Sequence, residues 1–154
     1  MDQTFVRKKI YSIISEQFSV EYVVSQKEDG IVILAMNQGK QVGYLSVNFD
    51  MDPSWRIEDE VESDEQISRI FPEGRAAVIE WVKVDSMYLR MGIGRGIIEK
   101  ALEVIKDEGY HTIYLNASPI GGTIDVRHLK SLYKSFGFKT LFDQGHNVQM
   151  IKYL

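Results

Sequence analysis

The 154-residue sequence contains no cysteine. That absence excludes disulfides, thiolate metal sites and a cysteine nucleophile. A small secreted domain without cysteine would also be unusual. The opening residues, MDQTFVRKKI, lack the apolar core of a signal peptide. The longest unbroken aliphatic run is IVILAM, residues 31–36, far too short to cross a bilayer. A soluble cytoplasmic chain with no membrane partner is therefore expected. There is no basic excess either. Eighteen Lys and Arg face 22 Asp and Glu, for a net charge of −4, which argues against nucleic acid as the main partner. The histidines, His111, His128 and His146, are scattered. They suggest no metal site and read as surface or turn residues.

The length suits one domain, spanning residues 1–154, and such a domain buries roughly 70% of its unfolded surface without needing staples. No internal repeat or low-complexity tract is visible. The acid is concentrated in one place. Between Asp50 and Glu65 eight acids face Arg56 alone, a net of −7, so the rest of the chain sums to +3. This insert, at about 50–75, is either a solvated acidic loop or a field that draws in a cationic substrate.

Periodicity divides the chain. QTFVRKKIYSIISEQF places Val6, Ile10, Ile13, Ile14 and Phe18 at helical spacing and predicts an amphipathic helix. VEYVVSQ, GIVILAM and QVGYLSVNF read as strands joined by turns at Asp29-Gly30 and Asn37-Gln38-Gly39, an antiparallel meander. Ser63 with Gln66 resembles a capping box and predicts a short helix over 64–71, closed by Pro72 and Gly74. AAVIEWVKVD, residues 76–85, is a strand with Val78, Glu80, Val82 and Val84 on one face. The helix after Gly92 buries Ile97, Ile98, Ala101, Leu102 and Ile105 and turns Arg95, Glu99, Lys100, Glu103 and Lys106 outward. Gly109 is its natural stop. HTIYLNAS is a strand. Asp125 is a plausible N-cap for the helix VRHLKSLYKSF, whose buried side chains are expected to be Val126, Leu129, Leu132 and Phe136. FKTLFD and NVQMIKYL flank Gln144-Gly145-His146 as a last hairpin.

The most informative stretch is YLRMGIGRG, where Gly92, Gly94 and Gly96 alternate between Arg90 and Arg95 at the junction of a strand and a helix. A helix start has unpaired N–H groups and a positive dipole end. Glycine lets the backbone approach a phosphate closely, and arginine pairs with phosphate oxygens. The loop is thus a phosphate cradle or, alternatively, a tight turn packed beneath a helix. The spacing G-x-G-x-G departs from the dinucleotide fingerprint, and the Walker pattern is absent.

The longer segment VIEWVKVDSMYLRMGIGRGIIEKAL resembles the acyl-CoA-binding motif of the GNAT superfamily of N-acyltransferases: a strand ending in valine, a short loop, then (Q/R)-x-x-G-x-(G/A) opening a helix. LYKSFGF resembles the family's Leu-Tyr-x-x-x-Gly-Phe segment, and MIKYL its last strand. The resemblance covers residues 76–154. The motif's Gln/Arg falls on Leu89, with arginine one residue later at Arg90. Val126 stands where an asparagine often begins the tyrosine helix. One helix, not two, precedes the first clear strand.

The resemblance implies an α+β (mixed α/β) fold with a central, twisted, mostly antiparallel sheet of about seven strands flanked by helices. It implies direct acetyl transfer from acetyl-CoA, without a metal, to a primary amine on a small molecule or a peptide. An alkylammonium acceptor, with a pKa near ~10.4, must lose a proton before it attacks. Glu80 is the candidate base, or else part of a structural ion pair. Tyr133 matches the tyrosine that protonates the departing thiolate, or else is a core aromatic. Val82, Val84 and Asn116 match the pantetheine-binding strands, Asn116 alternatively being a turn residue. Arg90, Met91, Gly92, Ile93, Gly94, Arg95 and Gly96 form the cofactor loop. A non-catalytic CoA-binding or interaction module on the same fold is the alternative, and the oligomeric state, a homodimer included, is left open.

Overall fold

The structure, a computed structural model of the chain, describes residues 9–14, 19–85, 92–118 and 126–154. Its elements run β1 (Lys9–Ile14), β2 (Ser19–Lys27), β3 (Gly30–Asn37), β4 (Lys40–Asp50), a 3-10 turn (Pro53–Arg56), α1 (Asp64–Ile70), β5 (Ala76–Val84), α2 (Ile93–Asp107), β6 (Thr112–Ala117), α3 (Val126–Ser135), β7 (Lys139–Asp143) and β8 (Val148–Tyr153). They fall into two compact units interleaved along the chain. One comprises Met1–Asn48 and Glu80–Val104, the other Phe49–Ile79 and Ile105–Leu154. β5 contributes its second half to the first unit and its first half to the second.

In the first unit the strands lie in the order β1-β2-β3-β4-β5. β1, β2, β3 and β4 are successive antiparallel neighbours. Both hairpins form, the first with its turn at residues 28–29 and Gly30 already paired as the first residue of β3, the second with Gln38 and Gly39 both at positive φ between β3 and β4, the geometry of a two-residue hairpin whose twist matches its strands. β4 meets β5 where the Asp85 N–H donates to the Val42 carbonyl at 2.8 Å. The buried face carries Tyr22, Ile33, Ala35, Val42, Leu45 and Val47. Ile93, Ile97, Ile98 and Ala101 of α2 are buried in the same unit. Each Val, Leu or Ile side chain so withdrawn from water contributes about 1.5–3 kcal/mol before entropy is counted.

The N-terminal expectation is corrected here. Residues 9–14 form a strand, not part of a helix, in register from Lys9↔Val24 to Ile14↔Ser19. Ile10, Ile13 and Ile14 satisfy helical spacing, but β-branched and aromatic residues also favour strands. Pairing with the edge of β2 supplies backbone partners that an isolated short helix would lack. This strand brings the number of strands among the described residues to eight, against about seven expected.

In the second unit the order is β5-β6-β8-β7. β5 and β6 are parallel over Ala77↔Ile113 to Ile79↔Leu115, whereas β6–β8 and β8–β7 are antiparallel. The sheet is therefore mostly antiparallel, and the fold is α+β. The acidic segment is not a loose loop. Ile57, Ile70 and Phe71 are buried with Val78, Tyr114 and Ile151 in one apolar cluster. Several of its acids are occupied locally. Asp50 pairs with Arg56 at 2.7 Å. Asp52 accepts from the Ser54 N–H and hydroxyl, which hold its carboxyl below the usual range. Glu65 pairs with Arg69, and Glu60 accepts from Gln144. The Ser63 hydroxyl accepts from Gln66 N–H, so α1 opens on the expected serine cap, while the Gln66 side chain accepts from Glu62 N–H, one residue further back than in a capping box. Among the described residues no helix is long and apolar enough to cross a membrane.

Candidate active site

The candidate residues divide between the two units. Glu80, Val82, Val84 and Gly92 through Gly96 belong to the first, Asn116 and Tyr133 to the second. Arg90, Met91, Leu89 and the expected cap Asp125 lie outside the described residues.

The start of α2 is built by three glycines with three different tasks. Gly92 has φ +81°, a conformation that strains any residue with a Cβ, and it lies in open space. Gly94 faces Val84, and a Cβ there would sit 3.8 Å from the valine Cγ2. A bulky group at neither position blocks the first turn. Gly96 is different. Its N–H is already donated to the Gly92 carbonyl at 3.0 Å, the first intrahelical bond of α2. A Cβ on it would overlap the Tyr22 hydroxyl and stand 2.8 Å from Cζ. Tyr22 is almost fully buried and donates to the Ile93 carbonyl at 3.5 Å. Gly96 is thus glycine because β2 packs a tyrosine against the helix, a 74-position separation that spacing could not reveal. Burial, with Glu99 adding to it, pushes the Tyr22 hydroxyl up to about 12.

The chemistry of the remaining first turn follows. The N–H groups of Ile93 and Gly94 precede any intrahelical acceptor, the first turn carries no acid, and Arg95 is exposed on its outer side. That donor set, at the positive end of a fifteen-residue helix, fits a phosphate or pyrophosphate. β5 leads up to it. The close β4–β5 approach needs Gly43, since a Cβ there would be 2.9 Å from the Lys83 carbonyl. The ladder with β6 covers Ala77 to Ile79 only, while β5 runs on to Val84. Val82 and Val84 are half-buried on that continuation.

Glu80 is half-buried on β5, and its carboxylate lies 3.8 Å from the Lys27 ammonium. Nothing in the local sequence pattern around Lys27 marks it.

Tyr133 is the buried residue of α3, in place of the expected Val126, Leu129, Leu132 and Phe136, which are each only half-covered. The reason lies in how the helix stops. Gly137, at φ +92°, donates to the Lys134 carbonyl at 2.9 Å, and the Phe138 N–H donates to the Tyr133 carbonyl at 3.2 Å. Those two bonds make a Schellman motif. Its accompanying apolar contact is the edge-on pair of Tyr133 and Phe138, with centroids 5.6 Å apart. The spacing Tyr-x-x-x-Gly-Phe is therefore a helix stop that fixes the tyrosine ring. Burial pushes the Tyr133 hydroxyl well above the usual phenol range. Asn116 is exposed on β6 opposite Gln149. Among the described residues no cluster of three or more His, Asp or Glu side chains could hold a metal ion.

The model of the Acetyltransferase (GNAT) family matches residues 5–138. It starts well before the segment whose motifs carry the sequence resemblance and stops before the last hairpin. No curated protein sequence matches the chain significantly. Solved structures share its fold. The paia N-acetyltransferase of Thermoplasma acidophilum, in complex with coenzyme A, aligns at 15% identity and TM-score 0.55 over 82% of this chain and 62% of its own. The PH1933 protein of Pyrococcus horikoshii aligns at 23% and 0.57 over 80% and 64%. The polyamine N-acetyltransferase of Drosophila melanogaster aligns at 13% and 0.59 over 80% and 74%. The chain thus spans less than two thirds of the length of the first two.

Proposed function

The chain belongs to the acetyltransferase (GNAT) family, and from that premise we propose that it transfers an acetyl group directly from acetyl-CoA to a primary amine. The observation that carries this reading is the junction of β5 and α2. A strand whose edge runs on past its ladder ends near a helix start that Gly92 and Gly94 leave open to close approach. The N–H groups of Ile93 and Gly94, with Arg95 beside them, receive the pyrophosphate. The backbone of β5 at Val82 and Val84 holds the pantetheine arm, with Asn116 on β6 as a further contact. Bound acetyl-CoA supplies an acyl thioester. Glu80 takes the proton that the acceptor ammonium must lose. Tyr133, a phenol protonated at neutral pH, donates to the leaving thiolate.

The acceptor is a small-molecule or peptide amine. Exposed Glu58, Asp59, Glu62 and Asp64 favour one that carries further positive charge. Replacing Glu80 by Gln and Tyr133 by Phe should each slow turnover by roughly a hundredfold or more and leave CoA affinity nearly unchanged. Steady-state rates beside calorimetric CoA titrations check this. Full turnover in either variant removes that residue from its role.

The non-catalytic alternative draws on Leu89 and Val126, the two departures from the motif. CoA binding without amine-dependent thiol release would establish it.

A further inference from the structure

We propose that Lys27 is a site of self-acetylation, an inference that rests on Glu80 being the base of an acetyl-CoA-dependent reaction. Lys27 is the last residue of β2, and its Cα pairs with Gly30 across the hairpin. Its Nζ lies 3.8 Å from Glu80 Oε1 and 3.6 Å from Asp29 Oδ1. Asp29 is itself held by the Asn48 amide, which donates to its other oxygen at 3.0 Å. A primary amine is thus presented by a closed hairpin, between two carboxylates, to the group that accepts a proton from a primary amine in the proposed reaction. Lys27 and the acceptor are the same functional group.

Two features keep this amine reactive. Its side chain is 30% exposed, so a thioester carried by a soluble cofactor can reach it. Its ion pairs are partly solvated, and pairs of that kind hold a lysine only loosely. A lysine at the end of a paired strand also pays less to be positioned than a free amine, which must be captured from solution.

The step balances. The Lys27 ammonium gives one proton to Glu80. The neutral Nζ attacks the thioester carbonyl carbon, a C–N bond forms, and the C–S bond breaks with its electron pair on sulfur. The thiolate takes up one proton and Nζ loses a second, so the products are N-acetyl-lysine, CoA thiol and one proton. The amide cannot react again, which limits the reaction to one acetyl group per chain. It also cannot pair with Glu80 or Asp29, and the chain's net charge moves from −4 one unit further negative.

The test is incubation of the full chain with isotope-labelled acetyl-CoA, followed by peptide mass spectrometry. Label should accumulate at Lys27 up to one group per chain, at a rate independent of protein concentration. It should appear there at least roughly tenfold faster than at Lys106 or Lys139, and Glu80→Gln should slow it by a similar factor. Lys27→Arg should remove the fast phase. Labelling of Lys27 no faster than of Lys106 or Lys139, or equally fast with Glu80→Gln, overturns the proposal. Calorimetry with CoA and amine-dependent thiol release are measured on the same sample. Binding and turnover with Lys27 unlabelled overturn the self-acetylation alone. Absence of CoA binding overturns it together with the proposed function.

Discussion

Gly96→Ala separates packing from ligand contact at the start of α2. The methyl group would overlap the Tyr22 hydroxyl and lie 2.8 Å from Cζ and 3.3 Å from Cε2. Tyr22 cannot swing away cheaply, since only 2% of its surface is exposed and its hydroxyl is tied to Ile93. Overpacking of this kind costs about 1–3 kcal/mol. Alanine in a helix interior returns up to about 1 kcal/mol relative to glycine. With the full offset the net is a loss of up to about 2 kcal/mol, or a fall in Tm of up to roughly 8 °C for a chain of this size. Adding Tyr22→Phe removes the hydroxyl but leaves Cζ in the way, so it rescues only in part. Adding Tyr22→Leu removes both, and a double-mutant cycle should show favourable coupling of about 1 kcal/mol or more. CoA affinity should change by less than roughly threefold, or ~0.6 kcal/mol, because the Gly96 N–H is already spent within the helix. Urea unfolding and CoA calorimetry read the two quantities separately. A Gly96→Ala protein of unchanged stability that has lost CoA affinity would refute this reasoning and make Gly96 a cofactor contact.

Two further outcomes concern the tyrosines and the helix stop. Gly137→Ala forces a Cβ into φ +92° and should cost about 1–2 kcal/mol; Tm equal to that of the parent would mean the Schellman stop is not required. The buried hydroxyls give an alkaline transition, because burial pushes Tyr22 and Tyr114 up to about 12 and Tyr133 higher still. Below pH ~10 all three are protonated whether the chain is folded or not, and their contribution is intact. Above it the unfolded chain loses its protons first, so stability falls with rising pH by up to ~1.4 kcal/mol per unit and per tyrosine. Tyrosinate absorbance and circular dichroism should therefore change together for these three, and reversible ionisation of all eight tyrosines near pH ~10 without unfolding would contradict it.

What the sequence made legible was what depends on neighbours along the chain. The meander from β2 to β4 followed from alternation and its turn residues, α1 from Ser63 and Gln66, and α2 from its apolar stripe. The family resemblance rested on local motifs for the same reason. What it missed depends on distant partners. The strand at 9–14 exists because β2 offers an edge, and helical spacing of isoleucines cannot express that. The acidic segment reads as solvated by composition, yet Ile57 and Phe71 anchor it to Val78 and Tyr114 from other elements. Gly96 was legible as a glycine in a phosphate-like loop, whereas its reason, Tyr22, lies on another strand. Tyr133 was marked by its motif, but only the bonds from Gly137 and Phe138 show why that spacing buries the ring. Lys27 carried no signal at all, because its importance comes from Glu80.

The central claim is tested most directly by following CoA thiol release from acetyl-CoA with the intact chain, with and without a panel of primary amines and basic peptides. Saturable release that requires an amine, and that Glu80→Gln slows by roughly a hundredfold, is the predicted result. Release that no amine stimulates, from a chain that CoA neither binds nor stabilises, would contradict it.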